Sequence, residues 1–242
     1  MNPVLIVKRL SLSMMVLAAS NQVVADEAAI QKKLNQLIPN AAAANIKESV
    51  IPNVYEVSLG AKIIYMSGDG QYIINGHIIN LDTRENLTEQ ALNETRKTEL
   101  GKLSSSSMIV YPAKGPKKRT ITVFSDIDCP YCRKLHKEIP ALNQAGIEVR
   151  YMAYPRAGIG SEAYKKAVSV WCAKDSAKAM DEAMTTGHVT SKTCSNPVRK
   201  HMQQAENFGV TGTPNIVFDS GRMIPGYAPA NELIKLLTHK AS

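Results

Sequence analysis

The sequence predicts two mixed modules joined by a helix: a small α+β module first, then a larger α/β module carrying a helical insertion. Three observations predict this. Between residues 54 and 81 short apolar runs alternate with glycine-rich turns, after one amphipathic helix. Residues 83–103 are rich in Glu, Gln, Lys and Arg with a sparse set of leucines. From Met108 onward the order of periodic segments is β-α-β, a block of helices, then β-β-α.

The first residues set the compartment. Lys8-Arg9 is a short positive region, and Leu10 to Ala19 is apolar apart from Ser11 and Ser13. Val23-Val24-Ala25 places small residues before a cleavage point at Ala25-Asp26. This is the pattern of an export signal over residues 1–25, and the apolar run is short for a membrane span. An uncleaved anchor is the alternative. Cleavage predicts a soluble, exported protein. The formal net charge is +8, two units of which belong to Lys8 and Arg9. No stripe of interleaved basic and aromatic residues accompanies that charge, so no nucleic-acid partner is expected.

The first module spans residues 26–83. Ile30, Leu34, Leu37 and Ile38 fall on one face of a helix that Pro39-Asn40 ends. Ala41 to Ala44 has no amphipathic pattern. Val54–Leu59, Lys62–Met66, Gln71–Ile74 and His77–Leu81 read as a meander, with turns at Ser67-Gly68-Asp69-Gly70 and Asn75-Gly76. So small a module with exposed strand edges is marginal alone, and pairing with a second copy would cover an edge. A homodimer is the expectation. Residues 84–107 read as a linker helix closed by the polar hinge Ser104–Ser107.

The second module, residues 108–242, begins with strand candidates Met108–Tyr111 and Ile121–Phe124. The second of these runs straight into Cys129-Pro130-Tyr131-Cys132. A helix over Leu135–Leu142 follows, with a kink expected at Pro140, and Ile147–Met152 returns as a parallel strand. Ser161–Ala173, Asp175–Thr186 and Pro197–Phe208 read as helices, the last with an Asn196 cap and Pro197 in first position. Gly212-Thr213-Pro214 precedes the strand Asn215–Asp219. Arg222–Ile224 and a closing helix over Glu232–His239 complete the chain. With the Cys-x-x-Cys at its strand-to-helix junction, this is the order of a thioredoxin-like α/β domain.

The chemistry follows from the cysteines. A thiol at a helix start meets unpaired backbone N–H groups and the positive end of the helix dipole, which favour the thiolate. The thiolate is the nucleophile of disulfide exchange. Cys129, nearest the helix start, is therefore expected to be the exposed, low-pKa nucleophile. Cys132, one turn in, is expected to be buried and to resolve mixed disulfides. Pro130 and Tyr131 shape the helix start and the substrate contact. Asp126 and Asp128 are nearby acids that would raise a cysteine pKa if close. In a thioredoxin-like fold Thr213-Pro214 is expected as a cis pair facing the cysteines and available to a bound peptide. Cys172 and Cys194 both lie in the helical insertion and read as a structural disulfide. Zinc favours four ligands in two close pairs, and these two do not form the second pair, so no metal and no cofactor are expected.

Several stretches carry a family resemblance: Ala28–Gln31, Asp69–Ile74, Ile121–Asp126, Cys132-Arg133-Lys134-Leu135-His136, Val149–Tyr151, Trp171-Cys172-Ala173-Lys174-Asp175, Gly212-Thr213-Pro214 and Pro225–Tyr227. Along nearly its whole mature length the chain resembles the DsbC/DsbG family of bacterial periplasmic disulfide isomerases. The resemblance implies a cystatin-like N-terminal dimerisation module and a V-shaped homodimer whose thioredoxin-like domains face a cleft. It implies misfolded, disulfide-containing exported proteins as substrates, chaperone-like binding, and a DsbD-like membrane reductase as electron source. It maps Cys129 and Cys132 onto the active pair, Thr213 and Pro214 onto the cis-proline pair, and Cys172 with Cys194 onto the structural disulfide. Two departures stand out. Pro130 occupies a position where the best-known DsbC motif has glycine and where DsbG has proline, which leaves open a narrow-client reductase or a net oxidant. Val123 stands where thioredoxin has a buried aspartate, so that acid is not available as a proton acceptor.

Overall fold

The computed structural model describes residues 26–38 and 44–238, and these divide into two compact units between Thr88 and Glu89. The expected export signal lies outside the described residues. No helix among them is long and apolar enough to cross a membrane.

In the first unit, helix α1 (residues 26–37) precedes a four-stranded antiparallel sheet in the order β1 (Asn45–Glu48), β2 (Val54–Leu59), β3 (Lys62–Ser67) and β4 (Ile73–Ile74). Ile30 and Leu34 of α1 pack on Tyr55, Val57 and Met66, so one face of the sheet is buried under the helix. The opposite face carries Tyr65, whose hydroxyl hydrogen-bonds Thr88 Oγ1 at 2.6 Å. Two expectations need correction. The Gln71–Ile74 strand shrinks to Ile73–Ile74, and His77–Leu81 is irregular except for a bridge between Ile79 and Asn86. Ile73, Ile74, Ile79 and Leu81 are all half or more exposed, so within a single chain no buried face holds these residues in register. Strand β1 was not expected. Ile46 is its single apolar residue, and it forms because its backbone pairs with the free edge of β2.

Helix α2 (Leu87–Gly101) and a 3-10 turn (Ser105–Ser107) lead into the second unit. Its sheet has the order β5 (Ile109–Tyr111), β7 (Ile147–Ala153), β6 (Arg119–Ser125), β8 (Asn215–Phe218) and β9 (Met223–Pro225). Only β6 and β7 are parallel, and their register sets Val123 beside Tyr151. Side chains of β6 alternate between two cores. Ile121 and Val123 enter the larger one with Leu135, Leu142, Val149, Ile216 and Leu233, whereas Phe124 enters the other with Met152, Phe208 and Val217. The β8–β9 turn depends on Gly221. Its φ is +86°, and a Cβ there would lie 1.8 Å from the Asn93 carbonyl oxygen of α2.

The single kinked helix expected over Leu135–Leu142 is two helices, α3 (Pro130–His136) and α4 (Ile139–Gln144). Pro140 sits in the first turn of α4. Its missing N–H breaks the ladder there, and the chain restarts instead of bending. Helix α5 (Glu162–Trp171) is capped by the Ser161 side chain and α6 (Ser176–Thr186) by Asp175. Helix α7 (Val198–Asn207) starts one residue later than expected. Pro197 takes the capping position, while the Asn196 side chain accepts from the Val198 N–H at 3.2 Å. Helix α8 (Ala230–Thr238) closes the larger core.

Cys172 and Cys194 are joined by a disulfide that closes a loop of sequence separation 22. The tie links the end of α5 to the segment before α7. A Cys172→Ala/Cys194→Ala double variant is expected to lose about 3 kcal/mol of stability, the entropy of a loop of that length in the unfolded chain. Urea unfolding monitored by the Trp171 fluorescence measures it.

Candidate active site

Strand β6 ends at Ser125, and the chain turns through Asp126, Ile127 and Asp128 into α3. The Cys129 N–H donates to the Asp126 carbonyl at 3.1 Å, closing that turn. Cys129 caps α3 with extended backbone angles, and Pro130 follows inside the first turn, where its missing N–H costs nothing. Cys132 therefore lies one turn into the helix, on the side facing the core.

The two thiols are free and differ in ionisation. Cys129 is pulled down to about 5. The main cause is hydrogen bonding from the Cys132 thiol, helped by Thr213 and by the backbone N–H groups of Tyr131 and Cys132, with burial opposing. Cys132 is pushed far up, first by burial and then by its role as donor to Cys129. One proton is thus shared by the pair and held on the inner sulfur. The expected exposure of Cys129 is corrected: only 1 % of its surface is accessible, and Cys132 has none. The cause lies far away in sequence. The Thr213–Pro214 bond is cis, and the loop carrying it places the Thr213 carbonyl 3.3 Å from Cys129 Sγ, which donates to it only when protonated. Pro214 O in turn accepts the Gly226 N–H at 2.8 Å, tying this loop to the end of β9.

The two acids have definite partners. Asp126 is buried, and its Oδ2 accepts from Arg156 Nε at 3.0 Å and from the Arg156 N–H at 3.1 Å. Its Oδ1 accepts from the Asp128 N–H at 2.9 Å. Asp128 turns away from the sulfurs to Lys166 Nζ at 2.7 Å, with Arg133 at 3.6 Å. Both carboxylates next to the thiols are therefore charge-compensated, and they do not oppose thiolate formation as isolated acids would.

Next to the cysteine pair stands an aromatic group. Tyr131 is 61 % exposed and stacks on Tyr227 with ring centroids 6.4 Å apart. Lys134 Nζ lies 4.4 Å from the centre of the Tyr227 ring. Glu138 accepts from the Tyr227 hydroxyl and the Ala230 N–H, which raises the Tyr227 hydroxyl to about 12. Beneath the site His136 is buried. Its Nδ1 meets Tyr151 Oη at 3.3 Å and its Nε2 meets Asp181 at 3.1 Å, while burial holds its pKa down. No group of three or more potential metal ligands occurs among the described residues.

The sequence reading brought Cys129, Pro130, Tyr131, Cys132, Thr213 and Pro214 together, and the structure sets the Thr213–Pro214 pair against Cys129 at the start of the helix that holds Pro130, Tyr131 and Cys132. Cys172 and Cys194 are bonded to each other. The reading missed Arg156, Tyr227 and Ser125. Arg156 had a faint signal in the position of a charged residue just after β7. Tyr227 sits in the Pro225–Tyr227 stretch quoted for the resemblance, but with no role. The Ser125 hydroxyl is buried and lowers the pKa of the inner thiol.

Two family models cover most of the chain. Residues 21–89 match the disulfide bond isomerase protein N-terminal domain, and residues 106–241 match a thioredoxin-like domain. The chain is 41 % identical to the thiol:disulfide interchange protein DsbC of Dickeya dadantii over 233 residues, 95 % of this chain and 94 % of that one. It is 35 % identical to the DsbC of Escherichia coli, covering 88 % of each. It is 36 % identical to that of Haemophilus influenzae, covering 97 % of this chain and 99 % of the other. Among solved structures, a disulfide interchange protein from Neisseria gonorrhoeae superposes with a TM-score of 0.50 at 34 % identity, over 57 % of this chain and all of that one.

The split ionisation predicts a pH profile. Above a pH of about 5 Cys129 is a thiolate, so its alkylation by iodoacetamide stays fast down to that value and falls roughly tenfold per pH unit below it. The linkage has the sign of a depressed acid. Stability that the reduced protein gains over a Cys129→Ala variant is full above the ordinary thiol range and is lost as the pH falls through about 5. Thiolate absorbance at 240 nm and denaturation of the reduced protein at pH 4 and pH 8 check both.

Proposed function

The chain belongs to the DsbC family of thiol:disulfide interchange proteins, and from that premise we propose how its residues divide the work. The protein is a thiol-disulfide oxidoreductase and isomerase that exchanges disulfides on exported proteins. The observation that carries the assignment of roles is the unequal pair: a thiol of pKa about 5 at the start of α3 and a fully buried one a turn behind it. Cys129 attacks one sulfur of a substrate disulfide. A mixed disulfide forms and the other substrate sulfur leaves as thiolate. For isomerisation, substrate thiolates rearrange within the complex until one attacks the mixed disulfide and releases Cys129. For reduction, Cys132 attacks Cys129, and the protein leaves with Cys129 and Cys132 joined.

Thr213 and Pro214 bound the entry to Cys129, and Tyr131 with Pro130 forms its outer rim; these four are the proposed substrate contacts. Cys172–Cys194 is assigned a structural role, supported by the tie it makes between the end of α5 and the segment before α7. The electrons are carried by the thiols, with no cofactor. A protein that leaves oxidised needs a reductant, and a DsbD-like membrane reductase fits that need. Residues 1–25 are proposed to direct export to the periplasm and to be removed near Ala25-Asp26. Residues 26–83 are assigned to dimerisation, 84–107 to the linker and 108–242 to catalysis.

Homodimerisation is supported by the edge of the first sheet. Ile73 and Ile74 of β4 are 50 % and 51 % exposed, and Ile79 and Leu81 beside them are 52 % and 86 % exposed. Such an edge is a template for pairing with a second chain. An Ile74→Lys variant is expected to shift the protein toward monomer in sedimentation velocity, while wild type sediments as a dimer. A monomeric wild type would contradict this assignment.

The exchange roles are tested by two variants in the native host. Cys129→Ala is expected to abolish refolding activity on scrambled multi-disulfide substrates. Cys132→Ala is expected to accumulate mixed disulfides, visible on non-reducing gels and identifiable by mass spectrometry. Many partners support a general isomerase and one or two a narrow-client reductase. No mixed disulfide at all would sink the assignment.

A further inference from the structure

Two buried hydroxyls beside the thiols lack a hydrogen-bond partner of full geometry: Thr213 Oγ1 and Ser125 Oγ. Leaving a buried hydroxyl unpaired is unfavourable, and such a group in a native protein calls for an explanation. Thr213 borders Cys129 and is already among the proposed substrate contacts. Ser125 takes no part in the exchange steps assigned to Cys129 and Cys132.

Its position is set by the strand. Ser125 is the last residue of β6 and shares a face with Ile121 and Val123, which pack in the same core as Cys129 and Cys132. The residue is 5 % exposed. Its backbone carbonyl accepts from the Tyr154 N–H at 2.7 Å. Its hydroxyl lowers the Cys132 pKa against the dominant effect of burial, although it falls short of hydrogen-bond geometry with the protonated thiol.

The groups that could otherwise serve the inner sulfur are committed elsewhere. Asp126 is held by Arg156 and Asp128. Tyr151 Oη is paired with His136. Val123 offers no polar atom. The Asp126 backbone N–H does assist Cys132 and is the other donor at hand. Water does not reach the sulfur, which has no accessible surface.

We propose that Ser125 is a catalytic residue of the resolving step: its hydroxyl donates to the Cys132 sulfur as negative charge develops there. In that step an electron pair on Cys132 Sγ attacks Cys129 Sγ. The Cys129–Cys132 bond forms, and the bond from Cys129 to the substrate sulfur breaks with its electron pair on the substrate. The proton lost from Cys132 is balanced by the one taken up by the departing substrate thiolate. Ser125 keeps its own proton throughout. A donor that is unpaired on the thiol and paired on the thiolate favours the charged form, so that more of Cys132 is ready to attack at a given pH. In the first step Cys129 is the charged sulfur, and Ser125 has little to offer.

The inference rests on the exchange roles given to Cys129 and Cys132, and a single-turnover experiment separates the two. Full-length reduced protein is mixed with oxidised glutathione. Acid quench and mass spectrometry then follow formation of the Cys129–glutathione disulfide and its resolution to Cys129–Cys132. For Ser125→Ala the expected result is unchanged formation, resolution slowed about tenfold, and a pH–rate profile for resolution displaced upward by about one unit. Ser125→Thr, which keeps the hydroxyl, is expected to restore both. The unchanged formation rate also reports that the site is folded. Resolution by Ser125→Ala at the wild-type rate, equal losses in both steps, or failure of Ser125→Thr to restore would overturn the role of Ser125. If wild type forms no mixed disulfide, the exchange roles fall first.

Discussion

One hydrogen bond governs the site: the Cys132 thiol donating to the Cys129 sulfur. It needs the two residues three apart at the start of a helix, so that the inner side chain stands one turn below the outer. It also needs the inner sulfur to be dry. Removing water from Cys132 disfavours its thiolate, and its proton is then available to stabilise the thiolate of Cys129. The same burial gives the pair its low outer pKa and its high inner one. Much of the second unit can be understood as holding this arrangement: the β6 strand that feeds the turn, the core beneath α3, and the distant loop that covers Cys129.

The surroundings are arranged so that neighbouring charge does not undo this. Asp126 and Asp128 would raise both thiols if left alone. Arg156, Lys166 and Arg133 take up their charges, and each comes from an element later in the chain. Pairing a buried carboxylate in this way satisfies it without bringing net charge to the sulfurs. The polar atoms close to Cys132 are then hydrogen-bond donors, the Asp126 amide and the Ser125 hydroxyl.

The two units contribute differently. The second has two cores, one on each face of its sheet, and every helix in it has a buried face to defend. The first has a single small core under α1, and a sheet whose last strand is two residues long and apolar on its exposed side. A sheet edge of that kind is stable when something covers it. A second copy of the same edge would do so, which brings two active sites into one assembly and suits rearranging wrong disulfides.

The sequence by itself determined the element order and the chemistry, because both are local. Val54–Leu59 and Ile147–Met152 announce strands through their own periodicity, Ser161 and Asp175 announce helix caps, and Cys129 and Cys132 announce redox chemistry through their spacing at a strand-to-helix junction. It misjudged what depends on neighbours. Strand β1 exists because β2 offers a free edge, and β4 is short because nothing within one chain buries it. Pro140 restarts a helix, since the ladder it breaks was only two turns long. Tertiary structure alone decided that Cys129 lies under Thr213, that Asp126 faces Arg156, and that the Ser125 hydroxyl is buried without a partner beside Cys132. These facts fix the pKa values, and none has a local signature, because burial and charge pairing are properties of atoms brought together from opposite ends of the chain.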